Sequence, residues 1–86
     1  MEAQQPFSRR RLQVVADADP GALARVVERL QNLNIIPRRV TAEFASNDIL
    51  HIEVDVCGLP DEQLALIAGK IRQAPCVVNA YWYRLD

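Results

Sequence analysis

The side chains that could carry out catalysis are few in this sequence and are weakly arranged for it. The only histidine, His51, stands two residues before Glu53, so in an extended strand both side chains point to the same face of a sheet. Such a pair can act as a general base, but no nucleophile and no cleft are predicted beside it. A pair of exposed side chains on a sheet surface is the better interpretation. We therefore predict no catalytic residues and no enzyme activity in this chain.

The two cysteines, Cys57 and Cys76, do not form a redox or metal motif. They are not in a Cys-x-x-Cys arrangement, and no further ligand stands at metal-binding spacing. Reduced thiols that pack against neighbouring side chains are typical of a cytoplasmic protein. We expect a cytoplasmic location, no metal and no cofactor.

The stretch Asp17–Leu23 has the composition of a binding corner between a strand and a helix. An apolar run precedes it, and apolar residues at helical spacing follow it. Pro20 suits the first helical position, and Asp19 suits the N-cap, where its carboxylate can accept the free N–H groups of the first turn. Gly21 lets another backbone or a ligand come close. Because a helix start presents N–H groups and a positive dipole end, we expect the corner to bind an anion such as a carboxylate.

Six elements are predicted around this corner. The apolar stripe of the first helix is Leu23, Val26, Val27 and Leu30, with Leu33 as a further candidate, and that of the second helix is Leu64, Ile67, Ala68 and Ile71. Asn34 follows the first helix at a position that favours the left-handed conformation. The predicted elements are a strand at 10–16, a helix at 20–33, strands at 38–45 and 49–57, a helix at 61–74 and a strand at 77–84. This order predicts an α+β, ferredoxin-like βαββαβ sandwich, in which two helices cover one face of a four-stranded antiparallel sheet.

Length and charge exclude several classes of protein. The 86 residues make one domain, here placed at 10–86 after a flexible lead-in at 1–9. The formal net charge is −1, so no overall field attracts nucleic acid or an anionic membrane, and no apolar run reaches the length of a membrane span.

On the middle strands, the face of the sheet opposite the helices is predicted to carry no aromatic side chain. RNA-recognition modules of similar strand order need aromatic side chains on their two middle strands. Here those outward positions hold Gln13, Val15, His51, Glu53 and Asp55, which argues against RNA binding. The last strand carries large apolar groups on both faces, so we expect a second copy or another subunit to cover part of the outer face or an edge.

The run Asp19-Pro20-Gly21-Ala22-Leu23-Ala24-Arg25-Val26, placed between a strand and the rest of this pattern, resembles the ACT domain over roughly Leu12 to Tyr83. The segment Gly21–Val27 is most similar to the regulatory small subunit of acetolactate synthase, and the short chain resembles the shortest members of that group. The resemblance implies a non-catalytic regulatory domain that forms a homodimer, binds an amino-acid effector at the dimer interface, and acts on a large catalytic subunit in branched-chain amino-acid biosynthesis or a related enzyme.

The resemblance also implies where an effector would bind. The expected contacts are the corner after the first strand and the facing segment 34–37, which gives the candidate ligand-binding residues Asp17, Ala18, Asp19, Pro20, Gly21, Ala22, Leu23, Ile35 and Ile36. Family sites commonly carry Asn at two of these positions, where this chain has Ala18 and Ile36. Each lost hydrogen bond to a charged ligand costs ~1.5–3 kcal/mol. The alternative is therefore an assembly-only subunit with a degenerate pocket that supports a catalytic partner.

Overall fold

The computed structural model describes residues 8–85, and it contains the six elements in the predicted order. The predicted lead-in at 1–9 lies outside the described residues except for Ser8 and Arg9, and Arg9 is the first residue of a strand. The elements are β1 (Arg9–Asp17), α1 (Ala22–Asn32), β2 (Arg39–Ala45), β3 (Ile49–Cys57), α2 (Asp61–Arg72) and β4 (Val77–Arg84).

The four strands form one antiparallel sheet in the order β2-β3-β1-β4, with both helices on one face. This confirms the predicted ferredoxin-like arrangement. On the helix side, Leu12 of β1 lies between Val54 of β3 and Trp82 of β4, and Val14 lies between Ile52 and Ala80. β1 is therefore a central strand, and β2 and β4 are the two edges.

The core lies between the sheet and the helices, because alternate positions of the strands and one stripe of each helix are apolar. The predicted stripe of α2 is confirmed in full. The side chains that are almost completely buried include Leu12, Val14 and Ala16 from β1, Ile52 and Val54 from β3, Ala22, Val26 and Leu30 from α1, and Leu64, Ile67, Ala68 and Ile71 from α2.

The predicted stripe of α1 is wrong in part. Leu23 and Val27 are 37% and 44% exposed, and Ala22 takes the buried place that the stripe gave to Leu23. Leu23 lines a pocket together with Phe44 of β2, which is 65% exposed, and Val27 lies one helical turn further along the same flank of α1. No element among residues 8–85 covers this flank, so apolar side chains at helical spacing remain open to solvent.

The end of α1 follows the sequence closely. Asn34 has φ 58°, which confirms the predicted left-handed residue. The N–H of Ile35 donates to the carbonyl of Leu30 at 2.9 Å, and the N–H of Asn34 donates to the carbonyl of Gln31 at 3.0 Å. These two bonds form a Schellman motif, which satisfies carbonyls that the helix end would leave free.

The last strand divides its large side chains between the two faces. Trp82 packs against the core, whereas Tyr81 and Tyr83 lie on the face opposite the helices, with ring centroids 6.3 Å apart. Both helices are short, with 11 and 12 residues, and none between residues 8 and 85 has the length and apolar character to cross a membrane.

Candidate ligand-binding site

The corner between β1 and α1 is held in place by backbone hydrogen bonds to two other parts of the fold. The N–H of Asp17 donates to the carbonyl of Cys76, just before β4, at 2.8 Å. The N–H of Ala18 donates to the carbonyl of Asp48, in the turn between β2 and β3, at 2.9 Å. The corner, the β2–β3 turn and the start of β4 therefore meet at one end of the sheet.

The prediction that α1 begins at Pro20 with Asp19 as its N-cap is wrong. The helix begins at Ala22, its N-cap is Gly21, and no side chain caps it. Oδ1 of Asp19 instead accepts the N–H of Gly21 at 2.7 Å, and the carbonyl of Asp19 accepts the N–H of Ala22 at 2.9 Å. The short aspartate side chain closes a turn on its own backbone, and this turn replaces the first turn of helix that proline would otherwise start.

This turn leaves two N–H groups at the helix start for a ligand. The first intrahelical bond of α1 at the corner runs from the N–H of Arg25 to the carbonyl of Gly21 at 3.0 Å. The N–H groups of Leu23 and Ala24 precede this bond, at positions where an α-helix has no intrahelical acceptor. They lie at the positive end of the helix dipole.

A pocket of about 730 Å³ lies between the corner, the helix side of β2 and the β2–β3 turn. Its apolar lining comes from Leu23 and the strands, and its rim carries three carboxylates. Within the described part of the chain, no basic side chain lines it. The lining residues are Asp17, Ala18, Asp19, Pro20, Leu23, Ala42, Phe44, Asn47, Asp48 and Leu50.

The structure brings five of the nine predicted site residues into this pocket: Asp17, Ala18, Asp19, Pro20 and Leu23. Gly21 supports the turn, and Ala22 is completely buried in the core. An added Cβ at Gly21 would lie 3.3 Å from Oδ1 of Asp19, so a larger residue there presses on the carboxylate that closes the turn.

The other two predicted residues lie elsewhere. Ile35 is buried and Ile36 is 88% exposed, and both line a second cleft of about 490 Å³ at the far end of α1. A helix of 11 residues is roughly 16 Å long, so within one chain this cleft cannot join the corner pocket. The corner residues can face Ile35 and Ile36 only if the two sets of residues come from different chains.

Sequence reasoning missed half of the pocket lining. Ala42, Phe44 and Leu50 lie on the helix side of β2 and β3, and Asn47 and Asp48 form the turn between them. The sequence does indicate the position of Phe44, because apolar and polar residues alternate along β2 and the apolar ones are expected to face the helices. No local sequence pattern predicts the hydrogen bond from Ala18 to Asp48, which brings the β2–β3 turn beside the corner.

Comparison with known protein families identifies the family of this chain. A model of the ACT-like domain family matches residues 3–86, nearly the whole chain. The chain belongs to the ACT-like domain family. This family match confirms the resemblance to the ACT domain that the sequence predicted. ACT domains are generally regulatory, non-catalytic modules that bind ligands.

Solved structures share the fold of this ACT-like domain at low sequence identity. The C-terminal domain of the MgtC protein from Mycobacterium tuberculosis aligns with a TM-score of 0.75 and 18% identity, covering 100% of this chain and 95% of that one. The ACT domain of the GTP pyrophosphokinase of Chlorobium tepidum aligns with a TM-score of 0.76 and 13% identity, covering 92% and 100%.

A homoserine dehydrogenase from Thiobacillus denitrificans has a TM-score of 0.74 and 18% identity, covering 92% of this chain and 17% of that one. These likenesses show the fold alone. No curated protein matches the sequence.

The remaining chemical candidates of the ACT-like domain do not form a second site. Glu53 lies 3.6 Å from Arg11 on the sheet surface, and His51 faces Glu43 in the strand register. Cys76 is buried near the end of β1, and Cys57 faces the start of β1, so the two free thiols lie at opposite ends of the sheet. No group of three metal-ligating side chains occurs between residues 8 and 85.

The face of the sheet opposite the helices carries an ion pair between Arg11 and Asp55. Nε of Arg11 donates to Oδ1 of Asp55 at 2.7 Å, and Nη2 of Arg11 donates to Oδ2 of Asp55 at 3.1 Å. This two-bond contact holds the pKa of the Asp55 carboxyl below its usual value, and the same hydrogen bonds raise the pKa of Arg11. The pair fixes β1 to β3 from the side opposite the helices.

Proposed function

We propose that this ACT-like domain is a non-catalytic regulatory module that forms a homodimer and binds a small amino acid in the corner pocket. Through that binding it would modulate a cytoplasmic enzyme of amino-acid metabolism. The observation that carries the proposal is the pocket itself, whose lining combines carboxylates with an apolar wall and includes Leu23 at the start of α1.

The chemistry of the pocket fits the three parts of an amino acid. The N–H groups of Leu23 and Ala24 suit its carboxylate, because they are unpartnered donors at a helix start. Asp17 and Asp19 suit its ammonium group. Phe44 and its apolar neighbours suit an aliphatic side chain, which favours branched-chain amino acids over acidic ones.

The partner in this proposal is a larger catalytic subunit, as in acetolactate synthase. The similarity of Gly21–Val27 to the small subunit of that enzyme supports it. The exposed apolar side chains of Leu23, Val27 and Phe44 support assembly, because a small domain with uncovered apolar surface gains stability from a partner.

Thermal shift and calorimetry with leucine, isoleucine and valine test the binding part. We expect millimolar amino acid to raise the melting temperature of the wild-type chain. Asp19→Asn should weaken binding about tenfold or more, since it removes the charge but keeps the oxygen that accepts the Gly21 N–H. Glu62→Gln, in the first turn of α2, is the matched control and should bind like wild type.

The second candidate is an assembly-only subunit that supports a catalytic partner without sensing an amino acid. Ala18 favours it, because it lines the pocket with a methyl group where related sites carry an amide. In that case no amino acid would shift the melting temperature, while the chain would still co-purify with a larger enzyme and change its turnover.

A further inference from the structure

The edge strand β4 is built from residues that favour pairing with another strand. Apart from Asn79 and Arg84, its residues are valine, alanine or aromatic. Three of them, Val78, Tyr81 and Tyr83, are exposed. In the part of the chain that the structure describes, no strand pairs with the outer side of β4. Free N–H and C=O groups on such a strand are a template for a strand of another chain.

Two side chains occupy the backbone groups at the middle of this edge. Nη1 of Arg72, the last residue of α2, donates to the carbonyl of Ala80. Oδ1 of Asn79 accepts the N–H of Ala80 at 2.9 Å. Both polar backbone groups of Ala80 are therefore satisfied within the chain, by side chains and not by a neighbouring strand.

The pairing of β4 with β1 shows that Ala80 points these two groups away from β1. The N–H of Leu85 donates to the carbonyl of Arg9 at 3.1 Å. Along an antiparallel strand, residues that bond to the partner strand alternate with residues that point away from it. Counting back from Leu85, the residues that point away from β1 are Arg84, Trp82 and Ala80.

Little of this row remains for another strand. The register between β1 and β4 shifts between Val15 and Ala16, so the row is interrupted just before Ala80. With Ala80 occupied, the groups left at the edge are those of Trp82 and Arg84. This is less than the length of a strand, which is usually about 3 residues or more.

We propose that the β4 edge is a latent pairing surface that Arg72 and Asn79 keep closed. A strand of a second copy can add at the middle of β4 only after both side chains leave Ala80. The guanidinium of Arg72 then loses an acceptor beside an incoming apolar strand, which opposes the addition. Because Arg72 is the last residue of α2, a displacement of this helix end opens the edge. The closure depends neither on the homodimer of the proposed function nor on amino-acid binding.

The double variant Arg72→Ala with Asn79→Ala tests this closure. It removes the donor and the acceptor that hold the backbone of Ala80. We expect its weight-average mass in sedimentation equilibrium to rise to about twice that of wild type or more, since each opened edge can pair with that of another copy. Lys70→Ala with Gln73→Ala is the matched control. It removes one cation and one amide from exposed positions at the same helix end, and it should keep the wild-type mass.

A third change locates the association. Val78→Lys places a charge on the exposed part of β4, where charge opposes strand addition, and it should return the double variant to the wild-type mass. A folded double variant with the wild-type mass would overturn the closure, and so would association that Val78→Lys does not reduce. If the double variant does not fold, the two single variants take its place, because each frees one group of Ala80. At least one should then exceed the wild-type mass, and the wild-type mass in both would overturn the proposal.

Discussion

Phe44 offers the sharpest test of whether the open flank of this ACT-like domain is a functional surface. Phe44 is 65% exposed although its side chain lies on the helix side of the sheet. A phenylalanine side chain can bury about 150–250 Å², so roughly 100–160 Å² of it is available to a second copy or a ligand. At about 25 cal/mol per Å², covering it contributes roughly 2.5–4 kcal/mol.

Phe44→Ala should therefore change assembly much more than folding. The monomer already leaves most of the ring in water, so we expect its free energy of unfolding to fall by about 1 kcal/mol or less. If a second copy covers half of each ring, the dimer loses roughly 2.5–4 kcal/mol in total, which raises its dissociation constant roughly 60- to 900-fold. Sedimentation equilibrium gives the dissociation constant, and urea unfolding gives the stability.

Val78→Ala is the matched control for this experiment. Val78 is 62% exposed on β4, at the other edge of the sheet. Its truncation should leave the dissociation constant unchanged. A Phe44→Ala variant whose dissociation constant stays within about threefold of wild type, or a Val78→Ala variant that weakens the dimer equally, would refute the proposal that the exposed side chains of Leu23, Val27 and Phe44 form the assembly surface.

Three further predictions concern single groups. Asp55→Asn should lower the free energy of unfolding at neutral pH. The pKa of Asp55 in the folded state lies below its unfolded value of about 3.9. The pairing with Arg11 is therefore stabilising above that pH and is lost as the pH falls through the folded-state pKa. Urea melts should thus show a difference from wild type at pH 7 that shrinks below about pH 4, and a difference that grows with acid would contradict the pairing. Asn34→Gly should stabilise the chain by about 0.5–1 kcal/mol and Asn34→Ala should destabilise it by about 1 kcal/mol, because φ is 58°; equal melting temperatures would count against the left-handed turn. Gly21→Ala should weaken amino-acid binding with only a small change in melting temperature, since its Cβ would press on Asp19; unchanged binding in calorimetry would show that the turn does not position the site.

The fold could be predicted from the sequence because its signals are local. The alternation of apolar and polar residues in β3, with turn residues on both sides, predicts the observed bounds Ile49–Cys57. The apolar stripe of α2 is fully buried, as the sequence predicts. The last strand was ambiguous, because both faces carry aromatic side chains, and only its register with β1 shows that Trp82 is inner and Tyr81 outer.

The site could be predicted only in part, because it depends on contacts between distant segments. The corner residues were found from their own turn and helix signals. The start of α1 was misplaced because the carboxylate of Asp19 accepts the N–H of Gly21, and this contact competes with helix capping. The contribution of Phe44 and Asp48 depends on how the β2–β3 turn approaches the corner, which no local pattern encodes.

The central claim is that an amino acid binds at the corner, with its carboxylate on the N–H groups of Leu23 and Ala24. An NMR titration of the isotope-labelled chain with leucine measures this most directly. We expect the amide resonances of Leu23 and Ala24 to move most, with saturation at millimolar concentration or below, and smaller shifts at Asp19 and Phe44. A folded chain whose corner amides do not move at any leucine concentration up to that range would contradict the claim.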